Sequence, residues 1–286
     1  MKKFQNVLII MAVLTVICII VPKQEVYAAK SRYINLKVPE KVNKSKTYKK
    51  YDVTGDGVAD KVTLKITKGK DKYDRTLKIK VNGLSVYKHT AQDSQFWDVN
   101  LVCLKNGKVY FEIYSLVSSE DIELHELYQY KNGTLKRVFD FQDYGGGYVT
   151  HYFVSIKKVS GNTIYTNASA QFLTTGGFLE YKMKLKYSKG KIKRVTNTYK
   201  LKYDGENMKN HWTVNRKIKV YKKPGSSSLI YTLKKGDVIK INKVIYKNKK
   251  VYFEVKNKNG QGKKGYIRGT KTYPNKLYFK ESWYSG

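Results

Sequence analysis

Cysteine is almost missing from this chain. Among 286 residues only Cys18 and Cys103 are cysteines, and Cys18 falls in a leader expected to be removed, so no intramolecular disulfide staples the remainder. Histidine is as scarce, with four residues at positions 89, 125, 151 and 211. Their spacing, with Cys103 isolated, supports neither a zinc cluster nor a Cys/His nucleophile. Carboxylates are outnumbered: 57 Lys and Arg stand against 22 Asp and Glu, a formal charge of +35. Long apolar runs stop at Val21, and helical periodicity is absent beyond that point. These absences leave an all-β chain of antiparallel strands as the expected fold class.

The apolar run itself belongs to a leader. Lys2 and Lys3 open it, Val7 to Val21 forms its core, and Val26 and Ala28 occupy the −3 and −1 positions of a cleavage site before Ala29. This is the layout of a secretory signal peptide over residues 1–28, too short for a comfortable membrane span of about 20 residues. No second apolar stretch or sortase signal follows, so no transmembrane anchor is expected after cleavage. Ile17 stands where a lipoprotein signal around Cys18 needs a small residue. Cys103 alternates with Trp97, Val99 and Leu101, which places it on the inner face of a strand, buried rather than reactive. Export without disulfides in a chain so rich in lysine, tyrosine and asparagine fits secretion by a low-GC Gram-positive bacterium.

The leader's three lysines and one glutamate leave a charge of +33, and residues 213–286 hold 20 Lys and Arg against 3 Asp and Glu. Charge of this size steers the chain toward polyanions. Outside a Gram-positive cell those are teichoic acid, anionic lipid and host glycosaminoglycan, and nucleic acid is not expected as a partner. The lysines are dispersed through strands, so the alternative that they merely keep the surface soluble stands beside this reading.

Residues 29–46 read as a polar approach or first edge strand, with Pro39 their punctuation. From Thr47 onward short alternating segments recur, such as Val62–Ile66, Leu77–Val81 and Tyr152–Ile156, which is the pattern of half-buried strands. Turn pairs separate them at Asn82-Gly83, Asn106-Gly107, Asn132-Gly133, Gly161-Asn162 and Lys189-Gly190. One stretch repeats: Leu127–Val138 aligns with Met183–Val195, and each follows a strand, turn and strand (Val99–Tyr114, Phe153–Ala168). A looser unit runs from Asp52 to about Tyr87. Three units of four strands imply a blade-like or meander β architecture over residues 29–205, too few for an ordinary closed propeller and compatible with an open sheet or a sandwich. A linker at 206–211 then leads to a second domain, 212–286.

The most specific motif is Asp52-Val-Thr-Gly-Asp-Gly-Val-Ala-Asp60. Asp52, Thr54, Asp56 and Asp60 fall at positions 1, 3, 5 and 9 around a glycine at position 6, with the Val58 carbonyl at position 7: the oxygen spacing of a Ca2+ loop. Position 12 is Thr63 rather than a bidentate glutamate, and Lys61–Ile66 reads as a strand rather than a helix. The motif resembles the D-x-[DNT]-x-D-G-x-x-D loops between strands of FG-GAP or VCBS-like β repeats, over residues 47–90 directly and 97–200 through the repeat pattern. That resemblance implies a weak structural calcium site. A second resemblance runs through Ile218, Val220, Lys223-Pro-Gly-Ser-Ser-Ser228, Leu233-Lys-Lys-Gly-Asp-Val-Ile239, Tyr252–Val255 and Gly265-Tyr-Ile267. Residues 213–270 resemble a bacterial SH3 (SH3b) domain, which implies a small SH3-like β barrel and, in many members, attachment to the cell wall. Tyr252 and Tyr266 stand where that family often carries tryptophan.

Catalytic constellations are weak. His125-Glu126 begins a sequence resembling H-E-x-x-H, but Gln129 replaces the second histidine and the segment alternates like a strand. Glu120, Asp121 and Glu123 form an acidic turn, and a glycosidase-like pair would need a partner such as Asp140 or Asp143 across a cleft. The 26 tyrosines chiefly fill and edge a β core. The expectation is therefore a secreted, extracellular, non-enzymatic protein held electrostatically at anionic wall polymer, teichoic acid or peptidoglycan. The alternatives are a wall or polysaccharide hydrolase, and an adhesin or scaffold for a host polyanion.

Overall fold

Alternation with period two becomes strand structure throughout. The computed structural model describes residues 31–94, 96–117, 122–144, 146–202, 211–258 and 262–282. The expected leader, residues 206–210 of the linker, Glu120 and Asp121 lie outside the described residues. Strand β1 (Arg32–Leu36) precedes a meander of β2 (Ser45–Tyr51), β3 (Asp60–Lys68), β4 (Arg75–Val81) and β5 (Leu84–Ala91). A second meander follows, β6 (Phe96–Cys103), β7 (Val109–Leu116), β8 (Ile122–Lys131) and β9 (Thr134–Asp140), with β1 on its outer edge beside β6. The third is β10 (Val149–Ser160), β11 (Thr163–Phe172), β12 (Phe178–Ser188) and β13 (Lys191–Arg194). All pairings are antiparallel, and the one helical element among the described residues is a 3-10 turn at Gln142–Tyr144. No helix of the described residues is long and apolar enough to cross a membrane.

The repeated stretch is the last hairpin of its meander in both places: Leu127–Val138 spans β8–β9 and Met183–Val195 spans β12–β13. The hairpins turn on two residues, Asn132-Gly133 and Lys189-Gly190, with both members at positive φ (50° and 76°, 49° and 80°). This is the geometry that matches strand twist in a two-residue loop, and Asn and Gly reach it at least cost. The first unit begins earlier than expected. The Asp52–Asp60 loop joins β2 to β3 and does not open the unit, because Ser45–Tyr48 pairs in register with Val62–Lys65.

The second meander lies between the other two. Leu64, Ile66, Leu77 and Ile79 of the first pack on Val99, Leu101, Phe111 and Ile113 of the second. Its opposite face, Val102, Tyr110 and Leu127 with Phe141, packs on Val154, Ile164, Leu179 and Met183 of the third. Neighbours Tyr110 and Phe111 therefore enter different cores. A sheet buried on both faces has no side for polar residues, so β7 reads as a nearly continuous apolar run while the outer meanders alternate cleanly. Truncating a side chain as enclosed as Phe111 costs about 3–5 kcal/mol.

After β13 the chain adds β14 (Thr198–Lys202) to the edge of β12 and continues into the C-terminal segment: β15 (Trp212–Thr213), β16 (Ile218–Tyr221), β17 (Leu229–Leu233), β18 (Val238–Lys247), β19 (Lys250–Asn257) and β20 (Lys264–Arg268). Tyr199 of β14 pairs with Val244 of β18, so one eleven-stranded sheet runs from β10 to β17 across the expected linker. The expected small barrel is not closed among the described residues, because the hydrogen-bonded path ends at β17, which pairs only with β16. Both sides of the 206–211 segment contribute to a single core, in which Phe172 meets Phe253 edge-on at 5.2 Å. Tyr181 is fully enclosed there; its hydroxyl lies 3.0 Å from that of Tyr246 on β18 and 3.3 Å from that of Tyr152.

Cys103 closes β6 on the face toward the first meander and is buried. Burial pushes its thiol up to about 11, with Arg32 opposing. A thiol in that state is protonated at neutral pH and its sulfur is covered, and the thiolate is the reactive form. Iodoacetamide at pH 8 is therefore expected to leave the native protein unlabelled and to label it stoichiometrically in denaturant. Rapid native labelling, read by intact mass, would contradict this placement.

Candidate functional site

The Asp52–Asp60 loop is closed by its own backbone. Asp60 is 2% exposed; its Oδ2 accepts the N–H groups of Val53 (2.7 Å) and Thr54 (2.9 Å), and its Oδ1 accepts Nδ2 of Asn82 (2.6 Å). Asn82, at the β4–β5 turn, in turn accepts the Lys61 N–H at 2.8 Å. Asp52 accepts the N–H groups of Gly55 (2.6 Å) and Gly57 (2.9 Å). The two glycines sit at φ 86° and 88°, which is what turns their N–H groups inward. The Thr54 hydroxyl lies 3.4 Å from both carboxylates.

Of the five residues in the calcium pattern, the fold thus gathers Asp52, Thr54 and Asp60. Asp56 accepts the Val58 N–H at 2.8 Å in the exposed part of the loop, and Val58 is itself exposed. No group of three His, Cys, Asp or Glu side chains converges as a metal site among the described residues. Calcium takes 6–8 oxygens, and here two carboxylates and one hydroxyl meet, already engaged with amides. In this arrangement the residues do not fit a calcium cage. Sequence spacing puts oxygens at the right intervals, and in the folded loop the backbone amides of Val53, Thr54, Gly55 and Gly57 donate to two of the carboxylates.

A second polar cluster, not foreseen from sequence, lies inside the middle meander. Glu112 of β7 accepts the Tyr33 hydroxyl at 2.6 Å and Nδ2 of Asn100 at 3.0 Å, and its other oxygen meets Nε2 of His125 at 2.7 Å. Asn35 adds 2.8 Å bonds to Asp98 and Asn100. The His125 ring stacks on Phe141 at 4.2 Å between centroids. Burial, with the Glu112 charge, pushes the Tyr33 phenol far above its usual range. The pair resembles a carboxylate–histidine dyad, yet both side chains are 4% exposed and the carboxylate is filled by Tyr33 and Asn100. Its effect is to lock the register of β1, β6, β7 and β8, since each strand contributes one partner. The signal for it was a charged residue inside the apolar run Val109–Leu116.

The other acidic candidates are dispersed. His125 and Glu126 point to opposite faces of β8; Glu126 holds Arg137 at 2.5 Å and accepts the Tyr128 hydroxyl. Glu123 pairs with His89 at 2.9 Å across the first two meanders. Asp140 meets Arg137 at 3.1 Å and accepts the Gln142 N–H at 2.8 Å; burial nonetheless raises its carboxyl above the usual range.

The solvent face of the eleven-stranded sheet is basic. Lys182, Lys184 and Lys186 project from alternate positions of β12, and Lys200 and Lys202 from β14. β12 pairs with β13 through Leu185–Ser188 and with β14 through Glu180–Tyr181. Two short strands sharing one long edge leave a gap between them. The gap is a notch of about 540 Å³ lined by Lys182, Lys184, Thr196, Thr198, Lys200 and Lys202, with Val195, Tyr199 and Leu201 as its apolar wall. Beside it, Lys158 and Lys184 flank the Tyr165 ring at 4.9 and 5.3 Å. Two carboxylates stand beside lysines here: Glu180 is the register partner of Lys202, and Glu254 holds Lys243 at 2.9 Å. Lysines two apart on a strand are roughly 6.6 Å apart, and their mutual repulsion in water is about 0.6 kcal/mol per pair. An anionic chain laid in the notch relieves that repulsion.

No protein-family model, no curated protein and no solved structure matches the chain. The geometry alone therefore carries the functional reading.

Two substitutions separate the roles within the Asp52 loop. Asp60→Ala strands two buried N–H groups and Asn82, and is expected to cost about 3 kcal/mol, a fall in Tm on the order of 10 °C. Asp56→Ala is expected to stay within about 0.5 kcal/mol, with or without millimolar calcium. A calcium-dependent rise in Tm that Asp56→Ala abolishes, read by differential scanning fluorimetry, would show instead that the loop closes round an ion.

Proposed function

We propose that this is a secreted, non-enzymatic protein that binds anionic polymer of the cell envelope through the basic face of its eleven-stranded sheet. The observation that carries this reading is the notch at which four lysines, Lys182, Lys184, Lys200 and Lys202, share one lining. A polymer that repeats a phosphate suits a surface that repeats a lysine, because each contact releases counterions and adds to affinity without demanding one fixed register. The formal charge of +33 left after leader removal supplies long-range steering toward such a polymer. The meander stack is the rigid body that presents the face, and the Asp52–Asp60 loop is a clip that ties β2, β3 and the β4–β5 turn together. The SH3b-like segment extends the same sheet and contributes the exposed Lys219 and Arg268.

The test is sedimentation of the mature protein with purified cell walls, intact or stripped of teichoic acid, over a salt series. Binding is expected to require the teichoic acid and to weaken steeply with salt. Lys184→Gln with Lys200→Gln is expected to lower the slope of log K against log salt by roughly one for each lysine that contacts a phosphate, with Tm unchanged. Equal binding to stripped walls, or retention independent of salt, would overturn the reading.

A further inference from the structure

A separate cavity of about 500 Å³ opens where the third meander meets the C-terminal segment. Its walls come from four stretches distant in sequence. Tyr148 precedes β10, Arg194 ends β13, Asn248 and Lys249 form the β18–β19 turn, and Lys271 follows β20. The rim is held by short-range structure. Asn248 and Lys249 form a two-residue turn at φ 51° and 57°. The Tyr246 N–H donates to the Asn197 carbonyl at 2.8 Å, and the Thr270 N–H donates to Thr174 Oγ1 at 2.8 Å. Junctions between packed units are where ligand cavities of this size are usually built.

Two of the cations in the cavity are set by rings. Lys271 Nζ lies 5.0 Å from the Tyr148 centroid, and the Arg194 guanidinium lies 5.2 Å from the centroid of Tyr246. A ring face attracts a cation without an acceptor lone pair, so the Lys271 ammonium is positioned while its N–H donors stay available. Tyr246 is itself pinned by the Tyr181 hydroxyl. Arg194, Lys249 and Lys271 face one carboxylate, Asp143, in the lining. A cationic lining of this kind suits a phosphomonoester, which carries about two negative charges near neutral pH. Asn197 and Asn248 add amides, groups that both donate to and accept from hydroxyls.

We infer that this cavity binds the phosphomonoester of a polyol or sugar, with the phosphate among Arg194, Lys249 and Lys271 and the hydroxyls on Asn197 and Asn248. The site is independent of the lysine notch on the solvent face, and either reading can fail without the other.

The test is an NMR titration of the mature protein with glycerol 3-phosphate, with glycerol and inorganic phosphate as comparison probes. Glycerol 3-phosphate is expected to shift the resonances of Asn197, Asn248 and Lys249, to bind at least tenfold more tightly than inorganic phosphate, and to leave glycerol without effect. Lys249→Asn with Lys271→Gln, two exposed positions, is expected to weaken binding at least tenfold at unchanged Tm. Lys184→Gln with Lys200→Gln is expected to leave it unchanged. Displacement of the ester by a polyol-phosphate oligomer with a phosphomonoester end would identify wall polymer as the source, and binding of the free ester alone a soluble metabolite; both support the assignment. Inorganic phosphate binding as tightly as the ester, or full binding by the Lys249/Lys271 variant, would overturn it.

Discussion

The structure depends on one sheet that is packed on both of its faces, the middle meander between the other two. The middle meander supplies apolar side chains to both cores, Phe111 and Ile113 to one side and Tyr110 and Leu127 to the other. Each outer meander needs it, because an antiparallel sheet with one apolar face must bury that face against something. Burial on both sides also explains why Glu112 is so fully partnered. Tyr33, Asn100 and His125 all bond its carboxylate, since an isolated charge at that depth would cost several kcal/mol. A cluster of this kind adds little net stability, but it penalises every register except one.

The basic surface follows from the same stacking. Once the inner faces are committed to the cores, alternation sends every second residue of β12 and β14 outward, and five of those positions, 182, 184, 186, 200 and 202, are lysines. A concave notch arises only because β13 and β14 are both too short to cover the edge of β12. Binding capacity thus comes from an interruption in the sheet, where backbone coverage fails and side chains converge. The cavity at the C-terminal junction has a similar origin: it lies where two parts of one sheet and their connecting turns leave space around a pair of tyrosine rings.

Much of the architecture was legible in the chain. The period-two segments, the Asn-Gly turns and the duplicated hairpin at Leu127–Val138 and Met183–Val195 correspond to strands, two-residue loops and matching meanders. Cys103 is buried, as its alternation with Trp97, Val99 and Leu101 implied. What the chain did not reveal was the bonding inside the Asp52–Asp60 loop, where the amides of Gly55 and Gly57 donate to Asp52. Spacing encodes which atoms come near one another; it does not encode which of them pair. The barrel expected over 213–270 was also out of reach, since whether a strand path closes depends on pairing between distant strands.

By itself the sequence determined that the chain is antiparallel β structure, where most of its turns fall, and that its outward residues are overwhelmingly cationic. These are properties of short windows, set by side-chain alternation, by backbone conformations that Asn and Gly tolerate, and by composition. Only the tertiary structure decided that the meanders stack with the second one innermost, that β14 carries the sheet across into the C-terminal segment, and which lysines face one another. Those outcomes rest on pairings such as Tyr199 with Val244 and on packing such as Phe172 against Phe253. Contacts between residues so far apart in the chain leave no periodic trace in either segment alone.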